Sequence, residues 1–134
     1  MTLNQIMKIS NFPKAILESV RTIAVHSAVR RAKTAAILFT KRGRVITYAP
    51  NVHFYGKEHK NKWTIHAEEF LIAKTLKLRA LNRFSDLNIL VVRVNAKDEF
   101  VMAKPCKRCQ TLLRATGLPV FYTTQLGTIK RIRL

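Results

Sequence analysis

Acidic side chains are scarce: 7 Asp and Glu stand against 25 Lys and Arg, which leaves a formal net charge of +18. Lysines that merely keep a chain solvated are the plainer reading of a basic protein, but an excess of this size points to a polyanionic partner. Cysteine is almost absent. The chain has 2, at Cys106 and Cys109, and a disulfide between them would close too short a loop to constrain a fold. Metal binding or redox chemistry is the better use of such a pair in a reducing compartment. With only 4 Gly and 4 Pro, the composition excludes a fibrous repeat and argues against disorder. No internal repeat or low-complexity segment is seen. No apolar run is long enough to span a bilayer, and residues 1–12 lack the features of a secretory signal. A soluble, cytoplasmic protein is expected, in its own cell or in a host's, with no membrane partner.

What is present suits one folded domain over residues 1–134, with 48% hydrophobic residues to fill a core. Asn11 and Pro13 mark a helix start, and Ile16, Val20, Ile23 and Ser27 continue it at helical spacing to about Arg31. Ala35–Phe39 and Val45–Ala49 read as a hairpin across the basic turn Lys41–Arg44. Residues 50–62 show no periodicity and read as a loop. A second helix is expected from about Ile65 to Asn82, with Phe70, Ala73, Leu76 and Ala80 on one face. Leu87–Val94 reads as a strand buried on both faces, followed by a turn at Asn95–Glu99. Pro105 opens a third helix, which Gly117 and Pro119 end. Val120–Thr123 and Thr128–Ile132 lie too close in sequence for a crossover, so they should pair antiparallel. The order α-β-β-α-β-α-β-β implies a mixed five-stranded sheet with helices packed on it.

Chemistry concentrates in two stretches, WTIHAEEF (Trp63–Phe70) and AKPCKRCQ (Ala103–Gln110). Cys106 and Cys109 are spaced to hold one metal ion from the first turn of a helix. The positive end of that helix, with Lys104, Lys107 and Arg108, favours thiolates. A third ligand is needed, and His66 is the best candidate; it can share a site with Glu68 only from the very first helical turn. Alone, the C-x-x-C pair is equally compatible with zinc and with a redox motif, although the element order suits a thioredoxin-like protein poorly. A lone His-x-Glu is compatible with a solvated helix start. The two in this order, with a helix and a strand between them, are far more specific.

His66-Ala67-Glu68 followed by Pro105-Cys106-Lys107-Arg108-Cys109 resembles the zinc-dependent cytidine/deoxycytidylate deaminase superfamily, whose signature is H-x-E…P-C-x-x-C. The resemblance covers most of the chain. It implies a three-layer α/β/α fold, zinc held by His66, Cys106 and Cys109, and a water in the fourth position. Glu68 would act as general acid and base in hydrolytic release of ammonia. Backbone groups of Ala67 and Pro105 would meet the base edge, and Asn51 matches a family asparagine that bonds the sugar. Glu69 stands where free-cytidine deaminases often carry an arginine that supports the thiolates. The terminal hairpin is similar to the free-cytidine branch and to several polynucleotide-acting relatives. The tRNA adenosine and deoxycytidylate branches insert a helix there.

Substrate choice turns on the segment between Asn51 and His66. It interleaves Phe54, Tyr55 and Trp63 with Lys57, Lys60 and Lys62, as single-strand binding requires of stacking rings and phosphate contacts. Aromatics packed inward are the competing reading. His53 and His59 are not expected to be ligands, and His26 is expected to be a packing residue. Lys130, Arg131 and Arg133 either extend a nucleic-acid track or blunt a sheet edge. The leading expectation is deamination of cytosine in single-stranded DNA or RNA. Free cytidine, deoxycytidine or their monophosphates come next, and adenine is a weaker variant. A nucleic-acid-binding module with structural zinc and no catalysis is the third class. Relatives often assemble as homo-oligomers, which the charge of this chain would oppose without an acidic partner.

Overall fold

The computed structural model describes residues 6–8, 14–27, 33–55, 62–79, 87–125 and 128–132. Its elements are β1 (Ile6–Lys8), α1 (Lys14–Val25), β2 (Lys33–Thr40), β3 (Val45–Pro50), β4 (Val52–Tyr55), β5 (Lys62–Ile65), α2 (Ala67–Arg79), β6 (Leu87–Val94), β7 (Phe100–Val101), α3 (Lys107–Arg114), β8 (Val120–Thr123) and β9 (Thr128–Ile132). The main sheet runs β1-β9-β8-β6-β2-β3, with β7 also paired to β6. Only β6 and β8 are parallel among these pairs; the β8–β9 hairpin is antiparallel, as the short connection requires. The five expected strands form the body of the sheet, and β1 and β7 bring it to seven.

Alternation along the central strands builds two cores. Ala35, Ile37 and Phe39 of β2, with Leu90, Val92 and Val94 of β6, pack under Ile16, Leu17, Val20 and Ala24 of α1. Ala36 and Leu38, with Ile89 and Val91, face the other way against Leu71 and Ile72 of α2 and Leu113 of α3. Each strand thus buries both faces, because successive side chains point to opposite sides. The result is one helix on one face and two on the other, the three-layer arrangement expected.

Several boundaries differ from expectation. α1 ends at Val25, where His26 turns out of the helix. His26 is exposed, with its ring nitrogen 2.8 Å from the Thr22 carbonyl oxygen, so it is not a packing residue. The anticipated cap at Asn11 and Pro13, and Arg30 and Arg31, lie outside the described residues. The segment read as a loop contains β4 and β5, paired antiparallel as a separate ribbon in which Phe54 opposes Trp63. Lys57 and Lys60 lie outside the described residues, as do the side chains of Phe54, Tyr55, Lys62 and Trp63. α3 begins after Cys106, so Pro105 precedes the helix instead of opening it. Gly117 closes it in the left-handed region at φ 68, where a side chain would be strained.

The largest correction concerns the face of α2. Phe70 and Ala73 are exposed, and the helix buries Ala67, Glu68, Leu71, Ile72 and Thr75. The apolar spacing alone is compatible with more than one face, and packing of Ala67, Leu71 and Ile72 into the core selects this one. Outside, the Lys74 ammonium covers the rings of Tyr48 and Phe70, 5.3 and 5.6 Å from their centroids. Among the described residues, no helix is long and apolar enough to cross a membrane.

The two faces of α2 should separate in a stability measurement. Leu71→Ala empties a fully buried position and should cost about 2–5 kcal/mol. Phe70→Ala, on the exposed face, should cost about 1 kcal/mol or less. Denaturant unfolding of both variants checks this, and equal losses would contradict the observed phase.

Candidate active site

Two helix N-termini meet on the α2/α3 face. The Phe70 N–H donates to the His66 carbonyl at 3.2 Å, which makes His66 the cap residue of α2 and leaves Glu68 and Glu69 in its first turn. Cys106 caps α3 with extended backbone, φ −66 and ψ 166, and the Gln110 N–H donates to its carbonyl at 2.8 Å. A cap residue leaves the helical path, so its side chain can turn across the helix end. That is how His66 and Glu68, only two residues apart, come to share one site.

The side chains expected to act together are brought together. His66 Nδ1 lies 3.3 Å from Cys109 Sγ and 3.7 Å from Cys106 Sγ, and the three donor atoms all fall within 4.8 Å of one another. Cys109 is buried and Cys106 exposed. An imidazole and two sulfurs at this spacing form a donor set suited to zinc, with room for a further ligand. The electrostatics also ask for a cation. Burial, and next the Glu68 carboxylate, push the Cys109 thiol well above its ordinary value. The expectation that the helix end and nearby basic residues favour the thiolate therefore fails for Cys109 itself, where desolvation outweighs them; a bound divalent ion would reverse the balance.

Glu68 is 5% exposed, and its carboxyl is raised above the ordinary value by burial, only partly offset by a backbone hydrogen bond, His66 and Cys109. Glu69 pairs with Arg108, which stands between the two cysteines in sequence. This ion pair ties the first turn of α2 to that of α3.

His66, Glu68 and Cys106 share a cavity of about 370 Å³ with Asn51, Ala67 and Thr34. Asn51 is 4% exposed and firmly held. Its Oδ1 accepts hydrogen bonds from Ser27 Oγ and from the Thr34 N–H, the latter at 3.1 Å. Ser27 Oγ also lies 2.9 Å from the Asn51 carbonyl oxygen. Pro105 is buried beside the cavity but does not line it; its carbonyl accepts from Gln110 Nε2 at 2.8 Å, and its neighbours Lys104 and Cys106 form the wall. Arg93, Met102 and Ala103 complete the lining. None of these three, nor Ser27 and Thr34 as supports of Asn51, was legible as a site residue. Their meeting depends on strand register, since Thr34 lies opposite Arg93 and Arg93 opposite Val101.

Protons compete with a metal for thiolates and imidazole, so bound zinc should be lost as pH falls. Cys106→Ser, which removes one sulfur from the cluster, should move the midpoint of zinc release to higher pH, measured with a chromogenic chelator; an unchanged midpoint would take Cys106 out of the ligand set.

No curated protein matches the chain significantly. Two mutant forms of cytidine deaminase from Mycobacterium tuberculosis are similar in structure, with 19% and 20% identity and TM-scores of 0.49 and 0.46. They match over 85% of this chain in both cases, and over 85% and 82% of theirs. Residues 10–124 match the family described as the cytidine and deoxycytidylate deaminase zinc-binding region. A match over that span, on a chain whose His, Cys and Cys converge beside a buried Glu, shows that it belongs to the cytidine and deoxycytidylate deaminase family, with zinc as its cofactor.

Proposed function

We propose that this zinc-dependent deaminase converts cytosine to uracil within single-stranded DNA or RNA. The observation that carries the reading is the buried Glu68 beside the His66–Cys106–Cys109 cluster, in a cavity that also presents cationic side chains. His66, Cys106 and Cys109 would hold the zinc. When bound, zinc supplies a Lewis acid that lowers the pKa of water toward neutrality.

The chain's own residues do the rest. Glu68 accepts a proton from the attacking water at a carboxylate oxygen and delivers it to the base. Its burial suits this role, because a carboxyl raised toward the working pH both takes and returns a proton readily. The carbon bearing the exocyclic amine gains the water oxygen, and ammonia departs. Asn51, clamped by Ser27 and Thr34, orients the sugar, and Ala67 at the start of α2 borders the base edge. Leu71, Ile72 and Leu113 form the apolar floor that keeps the helix ends in place.

The net charge of +18 favours a polymeric substrate. The size of the cavity supports a second reading, since about 370 Å³ is in the range of sites for single small molecules. Free cytidine, deoxycytidine or their monophosphates are that alternative. A module with purely structural zinc is disfavoured, because such a site has no use for a buried carboxylate against its thiols.

A competition experiment tests the substrate. The zinc-loaded protein is offered cytidine, deoxycytidine, their monophosphates, single-stranded DNA and single-stranded RNA, and mass spectrometry follows the change from cytosine to uracil. Uracil in the polymers is the expected result, and uracil confined to the monomers would favour the alternative. Glu68→Gln should keep zinc and fold while lowering turnover by about 10²–10⁴-fold or more. Retained turnover would remove Glu68 from the mechanism.

A further inference from the structure

Arg108 is poorly placed for its own helix. A cation in the first turn faces the positive end of the helix dipole, and α3 carries no acidic residue in that turn to offset it. The deamination chemistry gives Arg108 no task either. Its partner stands on another element: Glu69, in the first turn of α2. The Arg108 side chain is 73% exposed and that of Glu69 20%, and an ion pair so open to solvent adds little to the stability of a fold. Its location gives it a different use.

The metal site is divided between two helices. His66 comes from the cap of α2, and Cys106 and Cys109 come from the start of α3. Each half is fixed locally. The Phe70 N–H donates to the His66 carbonyl at 3.2 Å. Gln110 holds the other half twice, with its N–H on the Cys106 carbonyl and its Nε2 on the Pro105 carbonyl, both at 2.8 Å. No local bond fixes the distance between the halves. Leu71, Ile72 and Leu113 hold both helices on the sheet, but apolar contact is non-directional and permits sliding. Among the described side chains, and apart from the three donor atoms themselves, Glu69 and Arg108 form the one polar link between α2 and α3. A guanidinium meeting a carboxylate is directional, so it can set a spacing that apolar packing leaves free. His66 Nδ1 stands 3.3 and 3.7 Å from the two sulfurs. Bonds to zinc are short and nearly constant in length, so a slide of about 1 Å would spoil the site.

We propose that Glu69 and Arg108 are positioning residues: their ion pair latches α2 to α3 and sets the distance between His66 and the two cysteines, so that the metal site is preorganised. The inference rests on these three residues as the ligand set, and not on which cytosine derivative is deaminated.

Two measurements on the full chain test it. Competition with a chromogenic chelator gives zinc affinity, and the absorption spectrum of the Co²⁺-loaded protein reports ligand geometry. Glu69→Gln and Arg108→Gln should each lower zinc affinity about tenfold and alter the Co²⁺ spectrum. The double variant should lose no more than either single one, because residues that act only through each other are removed once. Arg108→Lys, which keeps the charge without the planar fork, should recover part of the affinity. Losses that multiply to about a hundredfold in the double variant would overturn the latch, since each residue would then act on the metal by itself. Unchanged affinity and spectrum in the single variants, with zinc bound by the wild type, would also overturn it and leave the ligand set standing. Thermal unfolding of the metal-free proteins should place all the Gln variants close to the wild type. A destabilisation large enough to account for the lost affinity would reduce the pair to a general structural contact and overturn the latch. A wild-type chain that binds no zinc would remove the ligand set, and the latch with it.

Discussion

Two helix N-termini are aimed at one point, and each is a positive pole. α2 and α3 pack side by side on the same face of the sheet, with His66 and Cys106 at their starts. Left to themselves these ends repel each other and any cation between them. Negative groups stand in the first turn of α2, Glu68 and Glu69, and the two sulfurs stand at the start of α3. The pairing of Glu69 with Arg108 carries one of these charges across the gap. A divalent ion at the thiols would complete the balance, so that metal binding and the docking of α2 on α3 would draw on the same electrostatics.

That constraint reaches outward through the sheet. Burial of Ala67, Leu71 and Ile72 against the sheet sets the rotation of α2 and carries Glu68 inward with them. Leu71 and Ile72 go in; Phe70 stays outside under Lys74. α1, on the far face, contributes through Ser27 just past its end, which reaches Asn51 and braces the cavity from behind. Residues from both layers therefore meet at one end of the strands, near the carboxyl ends of β3 and β6, where open α/β sheets offer a crevice to ligands.

Much of this was readable from residue order. Local chemistry marks Pro105, Cys106 and Cys109 as a helix start bearing two sulfurs, and the short interval before Thr128 forces the last two strands into a hairpin. The ribbon of β4 and β5 was not readable, because residues 50–62 lack the alternation that signals a half-buried strand. β1 and β7 were missed for a related reason. Ile6–Lys8 and Phe100–Val101 are too short for any period to show, and they exist through pairing with β9 and β6. The face of α2 was misjudged because a helix apolar on several sides does not announce its own rotation.

Sequence by itself determined the types of the donor groups, the excess of positive charge and the alternating burial of β2 and β6. These come from side-chain chemistry and from periods of 2 and 3.6, which are local properties of a chain. Tertiary structure alone decided that Ser27 and Thr34 clamp Asn51, that Arg108 finds Glu69, and that Arg93 and Lys104 share a wall. Those contacts join residues far apart in sequence. Their geometry is set by strand register and by the docking of one helix on another, and no local pattern records either.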